Sequence, residues 1–308
     1  MILTRRLGIA AVVVTYLQLT FGGIVRITGS GMGCGDHWPK CNGSWIPPFD
    51  QPTVMIEWTH RLLALLVVLT IGALVWSARR AGTGDHAHRV TRSATTAFVL
   101  VIVVALLGMI TVKLGNTALA TVAHWTLAMA LLGVLLAAAV RAGALGGELA
   151  ATHGGSPRSV RSIGGGAALA LATVVLGGLV AKTLGAAAAC PAFPLCGDTP
   201  AGIAPGVAHL QMTHRFLAFA LLFHALAVAV AVRRRTGESA VVKRAVAIAA
   251  TLVILQVVLG AAMILQVMPT SLRVAHQAAG VGVWMLMFLA AYLARAAEMG
   301  NRKSEMAH

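Results

Sequence analysis

Eight stretches of this chain stay apolar for about the 20 residues that an α-helix needs to cross the hydrocarbon core of a bilayer. They lie near residues 7–27, 54–78, 93–113, 119–140, 163–184, 208–232, 245–267 and 273–294. The pattern predicts eight spanning helices. The first stretch has no small-residue cleavage site and belongs to an internal repeat, so it reads as a retained span and not a removable signal peptide.

The repeat sets the first four spans against the last four. GGIVRITG at Gly22–Gly29 matches GGLVAKTLG at Gly177–Gly185, and EWTHRLLAL from Glu57 matches QMTHRFLAF from Gln211. LLGMITV followed by AHW, ending the match at His124, pairs with VLGAAMIL followed by AHQ at His276. His60 and His214 are 154 residues apart, and His124 and His276 are 152 apart, so the register holds almost without gaps. Each half has an even number of spans and therefore enters and leaves on one side. The expected architecture is an all-α membrane protein of two parallel-repeat four-helix bundles, related by a pseudo-two-fold axis along the membrane normal. Residues 1–141 form the first bundle and 163–308 the second. Residues 142–162, rich in Gly, Ser and Ala with no sustained apolar period, read as a flexible cytoplasmic linker.

Composition agrees with this pattern and charge orients it. The 308 residues are 58% hydrophobic and 11% charged, and mean hydropathy is +0.84, which excludes an ordinary soluble domain. The net charge of +15 does not mark a nucleic-acid partner. Of the 24 Lys and Arg residues, 17 flank the spans on one side and 5 on the other, with Arg61 and Arg215 inside spans. The positive-inside rule then puts both termini in the cytoplasm, with anionic lipid as the incidental partner of the basic side.

The opposite, outer side carries two long loops, roughly 28–53 and 185–207, each following the first span of its half. Cys34 and Cys41 lie in the first, Cys190 and Cys196 in the second, and the chain has 4 cysteines in all. On an oxidising face a close pair within one loop reads as a disulfide, Cys34–Cys41 and Cys190–Cys196. Zinc is the alternative, although these spacings exceed the usual C-x₂₋₄-C and no second pair sits in the same loop.

His60 lies about six residues, about 9 Å, below the outer surface in the second span, and His124, His214 and His276 repeat that depth in the fourth, sixth and eighth. Facing imidazoles in a four-helix bundle can hold a heme iron between them. One intramembrane histidine alone would read as an interhelical hydrogen bond; four in repeat register read as two heme sites. His37, His86, His88, His153 and His308 fall in loops or tails as solvated side chains, and His209 lies at a helix mouth. His224, deep in the sixth span, has Thr70 as its repeat counterpart and reads as an interhelical hydrogen bond, with a proton relay as the alternative. Arg61 and Arg215 each follow a candidate ligand; they suit heme propionates or snorkel to the outer headgroups. The halves differ at one telling position. Glu57, three residues before His60 and the only acidic residue within the predicted spans, is matched by Gln211. A carboxylate beside an iron porphyrin can take or deliver a proton and an amide of the same shape cannot; a polar residue at the membrane edge is the plainer reading.

Together, the doubled four-helix unit, EWTHR and MTHR, AHW and AHQ, GGIVRITGSGMGC and the paired loop cysteines resemble heme A synthase, in the bacterial form with cysteine pairs in its first and third outer loops. The resemblance spans essentially the whole chain. It implies oxidation of a methyl group of heme O to a formyl group, giving heme A for cytochrome oxidase assembly, through an alcohol, further oxidation and loss of water. It also implies that His214 and His276 hold a resident heme b, and that His60 and His124 hold the substrate heme. Glu57 would assist proton handling there, with Cys34 and Cys41 linked to that site. A heme O synthase and an electron donor such as a quinol are the implied partners, and the bacterial cell membrane the location, with the cysteine loops and heme sites toward the extracytoplasmic face. The rival from the residues alone is a cytochrome b-like electron-transfer protein with two bis-histidine hemes. A transporter of parallel repeats would want broken helices and midplane polar groups, of which this chain has almost none.

Overall fold

A computed structural model describes residues 1–151 and 154–306, with the side chains of 303–305 left aside; His153 and His308 lie outside the described residues. The secondary structure of the described residues is helical. The elements are α1 (Ile2–Ile27), α2 (Pro52–Arg80), α3 (Asp85–Lys113), α4 (Ala118–Arg141), α5 (Gly147–Ala151), α6 (Pro157–Lys182), α7 (Pro205–Arg234), α8 (Ala240–Leu265) and α9 (Thr270–Met306), with single 3₁₀ turns at Ser30–Met32 and Ala186–Ala188. All except α5 are long and apolar enough to cross a membrane, 8 helices in all. This is an all-α, multi-pass membrane protein.

The eight long helices begin and end where the local chemistry directs. Proline stands in the first turn of α2, α6 and α7, where its missing N–H is one the helix leaves unpaired in any case. Ser156 caps α6 by accepting the Ser159 N–H at 3.2 Å. Gly29 and Gly185 follow α1 and α6 with φ of 69° and 78°, a left-handed turn that glycine adopts at no steric cost. Several helices run past the apolar windows, since polar residues can continue a helix into the headgroup region. α3 therefore starts at Asp85, not near 93, and His86 and His88, expected in a loop, sit exposed in its first turn. For the same reason Glu57 is not the only acidic residue in a spanning helix: Asp85 opens α3, and Glu298 lies near the end of α9, ion-paired with Arg302.

The chain divides into two compact units, Met1–Ala142 and Gly143–His308. Within the segment expected as a linker, Gly143 and Gly146 turn the chain at φ of 84° each. α5 then packs against α8 and α9, with Ala150 buried.

In the first unit α1 neighbours α2 and α4, and α3 neighbours the same two. In the second, α6 and α8 each neighbour α7 and α9. Each unit is thus a four-helix ring in which the helices bearing the candidate histidines, α2 with α4 and α7 with α9, lie diagonally opposed. Leu62, Leu65, Leu66 and Leu69 of α2 remain exposed, as suits a face turned to lipid rather than to a core.

Candidate functional site

Four histidines, four glycines. A Cβ built on Gly22 of α1 would lie 3.1 Å from Cε1 of His60, and one on Gly108 of α3 would lie 3.0 Å from Cε1 of His124. The second unit repeats this: Gly177 of α6 faces His214 at 2.7 Å and Gly260 of α8 faces His276 at 3.1 Å. A Cβ at 3.0–3.1 Å would press the ring back by a few tenths of an ångström and one at 2.7 Å would force it to shift, so each imidazole lies in a tight slot beside a glycine on the preceding helix of its ring.

One turn before each glycine stands a residue that meets the same ring. His124 Nδ1 lies 3.0 Å from the Val104 carbonyl and His214 Nδ1 lies 3.1 Å from the Thr173 carbonyl. A carbonyl can only accept, so Nδ1 carries the proton in both and Nε2 keeps its lone pair, the tautomer a metal requires. His60 and His276 meet a side chain instead: the amide nitrogen of Gln18 lies 3.4 Å from His60 Nε2, and that of Gln256 lies 3.3 Å from His276 Nε2. Nδ1 of His60 is buried without a hydrogen-bond partner, and His276 faces the Gln256 backbone carbonyl outside close hydrogen-bond geometry. Neutral imidazoles with an available lone pair, paired on diagonally opposed helices, form the donor set for an iron porphyrin. The residues present fit two hemes, one per unit.

Above each pair sits a disulfide loop built on one plan. Cys34–Cys41 and Cys190–Cys196 are both bonded, with Cα–Cα distances of 4.4 and 4.2 Å. The spacing argument for disulfides over zinc holds, and there are no free cysteines. The first disulfide packs on Val54 and Trp58 in the opening turns of α2; Cys190 packs on Ala208 of α7, with Cys196 and Met212 against that cluster. Gly33 has no room for a Cβ, which would fall 2.4 Å from the Thr53 carbonyl. Both loops carry a cis X-Pro bond, Trp38–Pro39 and Phe193–Pro194.

The arginines after the candidate ligands hold these loops. Arg61 Nη1 donates to the carbonyls of His37 (2.8 Å), Pro39 (3.4 Å) and Lys40 (2.8 Å). Arg215 Nη1 donates to those of Ala192 (2.6 Å), Pro194 (3.2 Å) and Leu195 (2.8 Å). Glu57 is buried, and its two oxygens are both engaged: Oε2 accepts the Cys34 N–H at 2.8 Å and Oε1 accepts Arg61 Nη2 at 2.5 Å. Gln211 reproduces the first contact, its Oε1 accepting the Cys190 N–H at 2.7 Å, but its Nε2 donates to the Ala187 carbonyl at 3.2 Å. Arg215 Nη2, without a carboxylate here, donates to the Cys190 carbonyl at 2.6 Å. Glu57 is therefore a buried carboxylate that ties the disulfide loop to the histidine helix, where the second unit has the amide of Gln211.

Comparison with known proteins gives the family. Residues 5–288 match the family model described as cytochrome oxidase assembly protein. The chain belongs to that family. It is 28% identical over 258 residues to the heme A synthase of Geobacillus kaustophilus, covering 83% of this chain and 80% of the relative. The heme A synthase of Bacillus licheniformis is 29% identical over 277 residues, 88% of this chain and 89% of its own. A protoheme IX farnesyltransferase of Thermus thermophilus is 48% identical over 73 residues, which make up 24% of this chain and 12% of that protein.

His224 stands apart from both sites. Its Nε2 lies 2.9 Å from the Ser162 carbonyl of α6, an interhelical hydrogen bond as expected. The four glycines and the two glutamines were not singled out from the sequence. The glycines recur in register, Gly22 with Gly177 and Gly108 with Gly260, which is the signal that could have found them. The glutamines break register, since Gln18 is matched by Thr173 and Gln256 by Val104.

Proposed function

We propose that this protein is an oxidoreductase of the bacterial cell membrane that converts the methyl group of heme O to the formyl group of heme A for cytochrome oxidase assembly. The first unit, 1–141, takes the substrate between His60 and His124. The second, 163–308, holds a resident heme b between His214 and His276. Bound there, heme b supplies a one-electron relay. Both termini face the cytoplasm, and the disulfide loops and heme sites lie toward the extracytoplasmic face, in keeping with the placement of the basic residues. Residues 142–162 link the two bundles, a heme O synthase delivers the substrate, and a membrane donor such as a quinol supplies electrons. The farnesyltransferase that shares a segment with this chain supports the first of these partnerships.

The observation that carries the reading is the contrast between Glu57 and Gln211 at otherwise matched sites. A unit that only retains a cofactor has no use for a titratable group, whereas one that removes hydrogen from a methyl group must pass protons on. Glu57 does so from the foot of the Cys34–Cys41 loop, where its carboxylate is bonded to both the loop backbone and Arg61. Propionate pairing by Arg61 and Arg215 would draw on the guanidinium N–H groups that now hold the loop carbonyls. Binding of heme and position of the loop are thereby linked.

The test is to supply purified protein with heme O, a quinol as electron donor and air as oxidant, extract the hemes and identify each by mass. Heme O should disappear as heme A forms, with one heme b per chain unchanged. Two hemes that both survive turnover unaltered would instead favour the electron-transfer reading.

A further inference from the structure

The four candidate ligands are not held alike. His124 and His214 are pinned from behind, Nδ1 on a backbone carbonyl at 3.0 and 3.1 Å, with no side chain needed. His60 and His276 are approached from the front, a glutamine amide nitrogen lying 3.4 and 3.3 Å from Nε2; the Nδ1 of His60 is buried without a partner, while His276 also faces the Gln256 backbone carbonyl, more loosely than the pinned pair face theirs. An amide nitrogen can only donate, so Nε2 accepts, and these two rings reach the same tautomer as the pinned pair by the opposite means. Gln18 is further held by donating to the His60 carbonyl at 3.1 Å. The two glutamines stand on different helices of their units, at repeat positions where the other half carries Thr173 and Val104. In the first unit the front-held ring is on the first histidine helix, in the second unit on the last.

We propose, resting on the heme reading above, that Gln18 and Gln256 are positioning residues that make His60 and His276 the exchangeable axial ligand of each site. The amide N–H of each glutamine and the iron compete for one lone pair on Nε2. When iron takes it, that hydrogen bond is given up; when the iron bond opens, the amide recaptures the ring. Nothing comparable stabilises the detached state of His124 or His214, whose hydrogen bond lies on the far nitrogen and coexists with iron. Each site thus has one permanent anchor and one ligand that can open a coordination position. A net hydrogen bond of this kind is worth about 0.5–1.5 kcal/mol, roughly two- to tenfold in the opening equilibrium.

The experiment is carbon monoxide binding to the reduced, heme b-loaded protein, followed by absorption, in wild type and in Gln256→Val. Valine is what the first unit carries at the matching position, Val104, so the helix tolerates it; retained heme b absorption confirms folding. Carbon monoxide needs the open position. Losing the amide that stabilises the open state should weaken its affinity about two- to tenfold. If Gln256 merely supported a bound His276, the substitution would loosen the ligand and strengthen carbon monoxide binding; that result, or no change, overturns the proposal. Gln18→Thr, which copies Thr173, supplies the second arm with heme O added to the first site, and the same fall in affinity is expected there. A wild-type protein that takes up no heme would refute the underlying heme reading instead.

Discussion

The loop over α2 and the loop over α7 are fastened by the same devices: a short disulfide against the opening turns of the helix, an arginine clamp on three carbonyls, and a side-chain oxygen on the first cysteine's N–H. They part at one functional group. Gln211 completes its contacts as a neutral donor and acceptor, and Arg215 turns its spare N–H to the Cys190 carbonyl. Glu57 keeps the acceptor contact and forms an ion pair with Arg61. Because an amide serves the architecture equally well, folding alone does not explain the carboxylate. On the function proposed above, the carboxylate that the second unit does without is what the first unit uses for chemistry.

The largest effect should come from erasing that difference. Glu57→Gln recreates the arrangement that Gln211 already shows to be compatible with the loop, so the protein should insert, keep heme b and bind heme O. Its rate of heme A formation should fall about 10²–10⁴-fold, the usual worth of acid–base assistance, with heme O or its alcohol accumulating in the extract. A loss under about tenfold would reduce Glu57 to a polar edge residue.

A second comparison sets the glycine slots against each other. Gly177→Ala would drive a Cβ to 2.7 Å from the His214 ring. Overpacking costs about 1–3 kcal/mol, roughly 5- to 150-fold in heme b retention. Gly22→Ala, at 3.1 Å from His60, should leave heme b in place and weaken only heme O uptake. Titration of heme into protein stripped of it separates the two, and loss of heme b from Gly22→Ala would mean that the units do not bind independently.

The smallest effect concerns the disulfides. Replacing either pair by serine should cost about 2 kcal/mol of stability, the chain-entropy value for so short a loop, seen as a lowered thermal midpoint. Only Cys34→Ser with Cys41→Ser should also slow heme A formation, because the Cys34 N–H is one of the two groups that fix the Glu57 carboxylate. Equal slowing from the Cys190 and Cys196 pair would remove the distinction between the loops.

The spans and the four histidines are legible in the chain because apolar run length and repeat register are local properties. Glu57 stands out because it breaks a match that holds on either side of it. The slots are harder to see: Gly108 means nothing until α3 is laid against His124, and a contact between helices leaves no trace in spacing along one of them. Gln18 and Gln256 are hidden twice over, being polar residues within apolar runs and unmatched across the repeat. For Arg61 and Arg215 the sequence shows charge and depth, which suit heme propionates or the outer headgroups equally, but not the fold of the loops, whose carbonyls come back to meet them. The five residues of α5 are too few to carry a periodic signal.

The central claim is that two units with one construction plan divide the work, the second retaining its heme and the first turning its heme over. The most direct measurement is the heme content of four single variants, His60→Ala, His124→Ala, His214→Ala and His276→Ala, each purified, extracted and assayed by mass. The account predicts that His214→Ala and His276→Ala lose stoichiometric heme b, while His60→Ala and His124→Ala keep most of it and fail to make heme A. Equal loss of heme b from all four would contradict the division.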